Sequence, residues 1–477
     1  MGSWATYDVV IVGSGPNGLA AAIELARAQL STLVVEAKST PGGGTRTEPL
    51  TLPGFAHDVC SAVHPLGVAS PFFKSIGLER YGLTWIQPPA PLAHVLDDDH
   101  TLTLERSIDA TAAQLGPDAE AYRQLFEPLV EHFDSLMQMV LGPLRFPAQP
   151  LRFARFALPA LTSIQGLARR RFRGRAAPAL LGGMAAHATL PLDAMATSSF
   201  ALVLGAAGHH AGWPIARGGS QAISAALLKC LTSLGGELAL DRPIQAMADL
   251  PPARAYVFDL TPKQLLAITG LDLPPSYRRR LNRFRYGPGV FKMDWALRAP
   301  IPWKNPACGL AGTVHLSGSL AQVSQAEAAV HAGQLPDPPF ILLVQPSRFD
   351  PTRAPAGAHT AWAYCHTVPA SHADLTEKIE NHIDHHAPGF RDLILARSAR
   401  GPLAMQAYNA NYIGGDINGG APDLWQLFFR PIARLNPYTT PAPHIFLCLE
   451  FPRFVGQDRY AAIEAGLASA SFSAGVM

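Results

Sequence analysis

The six residues GSGPNG, Gly13 to Gly18, stand between a β-branched run and an alanine-rich segment, and they constrain this chain more than any other stretch. Val9–Val12 has the composition of a buried parallel strand, and the segment from about Pro16 to Ala28 that of a helix. At such a junction the glycines of GxGxxG have separate duties. Gly13 permits the tight turn, Gly15 lets a ligand approach the main chain, and Gly18 lets helix and strand pack closely. The helix points its free N–H groups and positive dipole end at the turn, which favours an anion there. Pro16 is tolerated because a first-turn N–H is unpaired in any case. STLVVE then supplies a second strand ending on Glu36, where a carboxylate can accept both ribose hydroxyls of a dinucleotide. An acid there disfavours a 2′-phosphate, which leaves FAD or NAD.

A second glycine cluster follows the acid at once: PGGGTRT, with Gly42, Gly43, Gly44 and then Arg46. Consecutive glycines bare the main-chain N–H groups and form an anion-binding concavity. The guanidinium after them can hold a phosphate or a flavin edge with paired donors. A nicotinamide enzyme would continue into a second βαβ half instead. The reading is therefore a longer dinucleotide, FAD, whose flavin end passes over this loop.

At 477 residues the chain exceeds one ordinary core, and two or three domains are expected. A formal charge of +2 gives no general case for nucleic-acid binding. Cys60, Cys230, Cys308, Cys365 and Cys448 lie far apart without CxxC, which excludes the usual zinc spacings and a dithiol redox motif. No metal site is expected. Tyr7 already begins a strand, so no signal peptide is read, and MGSWAT matches a myristoylation site only formally. No apolar run reaches about 18 residues, so no transmembrane helix is expected. The expectation is a cytoplasmic protein, or one of an organelle matrix if the source is eukaryotic.

PGGGTRTEPLTLPGFAHDVCSAVHPL resembles the phytoene-desaturase-related FAD oxidoreductases, within the wider group that includes flavin amine oxidases. WPIARGGSQAISAAL, YGPGVFKMDWALRAPIPW, AWAYCHTVP and YNANYIGGDINGGA extend the resemblance from residue 7 to about 448. It implies an α/β fold: a discontinuous Rossmann-like FAD-binding domain of the GR2 type, with an α+β substrate domain carrying inserted helices. The implied order is FAD-binding segments at 1–90, 213–275 and 401–477, with substrate-domain segments at 91–212 and 276–400. It also implies that Gly13, Gly15, Gly18 and Glu36 hold the ADP half. Gly43, Gly44, Thr45 and Arg46 would lie against pyrophosphate and flavin, with Ile244 or Gln245 near adenine. The sequence departs from the family after Cys448: IFLCLEFPRFVGQDRYAAIEAGLASA keeps a single loop glycine, Gly456, and adds Glu450.

Leu125, Leu129, Phe133 and Leu136 recur on one helical face. Between Ser135 and Leu192 no acid occurs, while eight arginines from Arg145 to Arg175 alternate with apolar residues. That composition suits a helix in a lipid headgroup layer, a solvated basic flap or a protein contact. VFKMDWAL alternates Lys292 and Asp294 with Phe291, Met293 and Trp295, a strand with one polar face. Flavin amine oxidases carry a lysine on a similar strand, so Lys292 is a candidate catalytic group; its alternative is a salt bridge with Asp294. His64 is a second candidate, for proton handling, and His366 a third.

These readings converge on an FAD-dependent oxidoreductase moving hydride at an apolar, polyene or long-chain substrate held in a greasy tunnel around Leu158–Leu204. Two alternatives stay open: a redox-silent scaffold acting through a partner or membrane, and an amine oxidase. Oligomeric state is not legible.

Overall fold

The computed structural model describes residues 6–96, 100–141, 150–434, 436 and 438–448. Everything from Leu449 onward lies outside the described residues, Glu450, Gly456 and the expected closing helix included. So do Arg145 and the first five residues.

The strand Tyr7–Val12 is buried along nearly its whole length, as its β-branched composition requires. The helix Pro16–Arg27 follows and packs Leu19, Ile23 and Leu25 into the same core. Thr32–Val35 returns parallel to the first strand, pairing Val9 with Thr32 and Val12 with Val35. Three strands from far along the chain complete this five-stranded parallel sheet. Glu237–Ala239 adds beside Thr32–Val35, Ala253–Phe258 beside Tyr7–Val12, and Ile445–Leu447 at the far edge.

A second sheet of seven strands is mixed. Gly289–Leu297 runs antiparallel to both His359–Thr367 and Ile394–Arg400. Ala311–Leu316 pairs parallel with Ala90–Val95, which places His315 beside His94. All nine residues of Gly289–Leu297 are buried. Its polar face, read from alternation alone, is therefore an interior face and not a solvated one. Phe291, Met293 and Trp295 pack toward Ile379 and Ile383 of the helix Thr376–His386.

Helices between the two halves of the second sheet form the remaining layer. Leu125, Leu129, Phe133 and Leu136 are all buried in one cluster, yet they belong to two helices, Ala119–Glu131 and Phe133–Leu141. Pro128, which removes a backbone donor, precedes the break at His132. Ala176–Ala186 and Thr197–His210 are buried on nearly all sides, as helices apolar all round must be. Arg155, Arg169, Arg170, Arg171, Arg173 and Arg175 are exposed. No helix among the described residues is long and apolar enough to cross a membrane.

Candidate active site

The two glycine bends touch. The Gly42 N–H donates to the Ser14 carbonyl at 3.0 Å. A Cβ on Gly43 would stand 3.1 Å from the Gly15 Cα, and one on Gly18 only 2.1 Å from the Gly13 carbonyl oxygen. Gly13 and Gly42 take φ of 107° and 123°, conformations that side chains rarely adopt. Thr45 closes the second bend through its hydroxyl, which donates to the Gly42 carbonyl at 2.8 Å. Tyr408 fastens the same bend by donating to the Gly43 carbonyl at 2.7 Å.

Glu36 ends the second strand and is buried. One of its oxygens accepts the Ser14 N–H (3.0 Å) and hydroxyl (2.5 Å), the other the Lys38 N–H (2.9 Å). Arg46 pairs with it at 3.2 Å. The remaining Arg46 donors go to the Thr40 and Gly43 carbonyls, and its guanidinium lies over the Tyr408 ring. Arg46 thus staples the second bend to the strand-end acid. Ile244 is half-buried just beyond Glu237–Ala239 and packs on the core of the same sheet. Just before it, the Arg242 N–H donates to the Glu36 carbonyl.

Asp259, which sequence reasoning had passed over, completes this end. Its N–H donates to the Val12 carbonyl at 2.9 Å, and its carboxylate accepts the Gly18 N–H at 3.0 Å. An acid at a helix N-terminus complements the dipole. The signal available for it was a strand followed by Asp and then Thr-Pro, a helix-start pattern.

From these bends a cavity of about 580 Å³ runs toward the helices Pro150–Ala160 and Thr197–His210. Pro16, Asn17, Gly44 and Thr45 line its nucleotide end; Phe153, Phe156, Leu161, Phe200 and Leu204 line the other. His64, Cys60, Trp362, Tyr364 and Tyr412 lie along it, and no Asp, Glu, Lys or Arg does among the described residues. The His64 ring is hydrogen-bonded to the Ser220 hydroxyl at 2.8 Å. Burial, the largest influence, lowers its pKa to about 4, so the ring is neutral near pH 7.

Charge is kept behind the cavity wall. Asp58, buried, accepts from Thr47 Oγ1 (2.8 Å) and from two buried donors, the Ser220 N–H (2.7 Å) and Arg353 (2.7 Å). Lys292 is buried and bonded to Asp294, with its ammonium over the Trp362 ring. Desolvation pushes Lys292 down and Asp294 up, each toward its neutral form. Lys292 does not line the cavity; Trp362 stands between. His57 lies 3.7 Å from Asp294, and burial, with Lys292 and Arg353 nearby, holds its pKa to about 3. His366 is away from this cluster, paired with Glu327 at 2.8 Å.

The residues present fit an FAD: two adjoining bare-backbone bends that no Cβ would permit, a strand-end acid, and a neutral cavity beyond. Residues 11–75 match the family described as an NAD(P)-binding Rossmann-like domain. The chain's similarities support an FAD-dependent oxidoreductase. Along most of its length it is similar to pyridine nucleotide-disulfide oxidoreductase domain-containing protein 2 of Rattus norvegicus, 23% identical over 93% of this chain and 89% of that protein. A hydroxyneurosporene desaturase of Cereibacter sphaeroides is 33% identical over 38% of this chain and 39% of that one. The fold is that of cyclohexylamine oxidase from Brevibacterium oxydans IH-35A, with a TM-score of 0.60 at 16% identity over 98% of this chain and 99% of that one. The five cysteines are all buried, and none is joined to another by a disulfide.

Proposed function

We propose that the protein moves hydride between FAD and an apolar substrate, long-chain or polyene, in a desaturation, saturation or isomerisation. One observation carries the reading: a single cavity starts at the two glycine bends and continues between the aromatic and aliphatic side chains of the substrate domain. Bound FAD supplies a ring that exchanges two electrons as hydride, so few catalytic side chains are required. Gly13, Gly15 and Gly18 at the helix start, with Gly43, Gly44 and Thr45, would hold the pyrophosphate. Glu36 would accept the ribose hydroxyls, and Ile244 would give the adenine an apolar neighbour. His64, neutral and oriented by Ser220, handles a proton at the cavity wall. Lys292, paired with Asp294 behind Trp362, supports the cavity wall from outside and takes no part in the reaction.

The uncharged lining favours this reading over amine oxidation, because an ammonium would find no counter-ion in the cavity. Purified protein should be yellow, and an apolar substrate that can be desaturated should bleach it without oxygen, with colour restored by quinone or oxygen. Protein that stays colourless after incubation with FAD would sink the proposal. A yellow protein bleached only by amines would reassign it.

A further inference from the structure

We propose that the protein docks on an anionic lipid surface, with the helices Pro150–Ala160 and Leu424–Phe428 set into the headgroup layer around the substrate end of the cavity. This goes beyond the reaction proposed above and is argued from exposure, charge and position. Among the described residues the four most exposed large apolar side chains are Leu151, Leu158, Trp425 and Met195, at 84, 71, 59 and 54%. All four border the cavity wall. Phe153 and Phe156, on the helix that carries both leucines, line it, as do Leu427 and Phe428 beside Trp425, and Ala196 beside Met195. Apolar side chains exposed singly mean little, but a group of them around one rim marks a contact surface.

Helical spacing gives Pro150–Ala160 two apolar faces. Phe153, Phe156 and Ala160 recur at intervals of three and four and turn inward to the cavity. Leu151, Arg155 and Leu158 recur at intervals of four and three on the opposite side, and all three are exposed. A helix apolar all round belongs in a core or against a membrane, and here only the inner face has a core. Leu161 joins the two faces: it lines the cavity and is exposed, so the wall reaches the surface there. The Ala196 N–H donates to the Leu161 carbonyl at 3.1 Å, which brings the loop carrying Met195 against that rim. Trp425 and Phe429, both exposed, lie with ring centroids 4.6 Å apart, an aromatic pair suited to headgroup depth.

Charge selects the occupant. Arg155 sits between the two exposed leucines, and Arg169, Arg170, Arg171 and Arg173 follow, all exposed, in a stretch without an acid from Ser135 to Leu192. Asp193, beside Met195, is exposed, and Asp423 caps the helix Leu424–Phe428 and pairs with Arg285 at 2.5 Å; neither falls within the basic run. Arginine stems lie along apolar surface while their guanidinium groups reach phosphates. Leucine and arginine on one stripe therefore suit the boundary between acyl chains and headgroups. An acidic protein face would neutralise the arginines but give Leu151, Leu158 and Trp425 no apolar bed; an anionic bilayer supplies both. A bilayer is also where an apolar compound dissolves, and docking by this face sets the substrate end of the cavity against it.

Flotation of the full-length protein with lipid vesicles tests the assignment. Vesicles of phosphatidylcholine mixed equally with phosphatidylglycerol should bind on the order of tenfold more tightly than phosphatidylcholine alone, and high salt should erase the difference. Leu151→Asp combined with Leu158→Asp should weaken binding to the mixed vesicles on the order of a hundredfold, with the thermal midpoint unchanged because both side chains face outward. Brominated phosphatidylcholine should quench wild-type tryptophan fluorescence, and Trp425→Phe should remove most of that quenching while flotation persists. Failure to float with either vesicle, or flotation indifferent to salt and to the double substitution, would overturn the proposal. A dimer that the double substitution dissociates, without vesicle binding, would assign the patch to a second copy of this chain instead. Protein that floats but never takes up FAD sinks the reaction proposed above and keeps this surface; yellow protein that ignores vesicles does the reverse.

Discussion

At the nucleotide end of the cavity, Gly13–Gly18 and Gly42–Thr45 come from one short stretch of chain and meet backbone to backbone. At the substrate end, polar groups arrive from several elements, and His64 and Asp58 are held by partners far away in sequence, Ser220 and Arg353. The first arrangement depends on the absence of side chains, and its cost of error is steric. The second depends on buried groups staying paired or neutral, and its cost of error is electrostatic. The two ends should therefore fail under different insults.

Acid is the broadest of these. His57, His64 and His94 have pKa values lowered by burial to about 3, 4 and 4, against 6.5 for the free side chain. Between those limits the unfolded chain binds protons that the folded one refuses. Stability is then complete above pH 6.5 and falls as pH drops toward 4. Each histidine should remove about 2 kcal/mol between pH 6.5 and pH 5. Urea midpoints at the two values measure this, and a flat profile would mean that these rings are not held neutral.

Removing one buried partner comes next. Arg353→Met leaves Asp58 facing Thr47 and Ser220 without its cation, and about 3–5 kcal/mol of unfolding free energy should be lost. A loss under about 1 kcal/mol would show the pair to be incidental.

The nucleotide end should respond to a single methyl group. Gly18→Ala places a Cβ against the Gly13 carbonyl, and the bend must shift at a cost of about 3 kcal/mol. FAD affinity, read from absorbance after dialysis, should fall roughly a hundredfold. Unchanged affinity would separate the first bend from the cofactor and break the contrast drawn here.

The same contrast explains what could be read from sequence. The glycine bends were legible because their requirement is local: a strand, a turn without Cβ atoms, a helix and an acid within thirty-odd residues. The Rossmann-like start of the sheet was legible from its first two strands, but the reach of Asp259 to Gly18 was not, since nothing in its neighbourhood points there. Lys292 stood out by alternation, yet whether it faced the cavity or Asp294 depended on Trp362, which lies on another strand. His94 and His315 each interrupt an apolar strand, PLAHVL and GTVHL, and that was the available signal. Only strand pairing brings them together, and periodicity does not encode it. The helix expected to run through His132 is two helices, because His132 leaves helical geometry (φ −113°, ψ 28°) while the apolar stripe continues across the break.

The contact between Asp259 and Gly18 also sets a timetable. The two glycine bends leave the ribosome early, but the carboxylate that fixes the start of the first helix emerges some 240 residues later. The strand Ala253–Phe258, which closes on Tyr7–Val12, comes with it. A growing chain shorter than this carries the whole glycine signature and still lacks the wall behind it. Cofactor capture must wait until the middle of the protein has been made, and the early segment has to be sheltered until then.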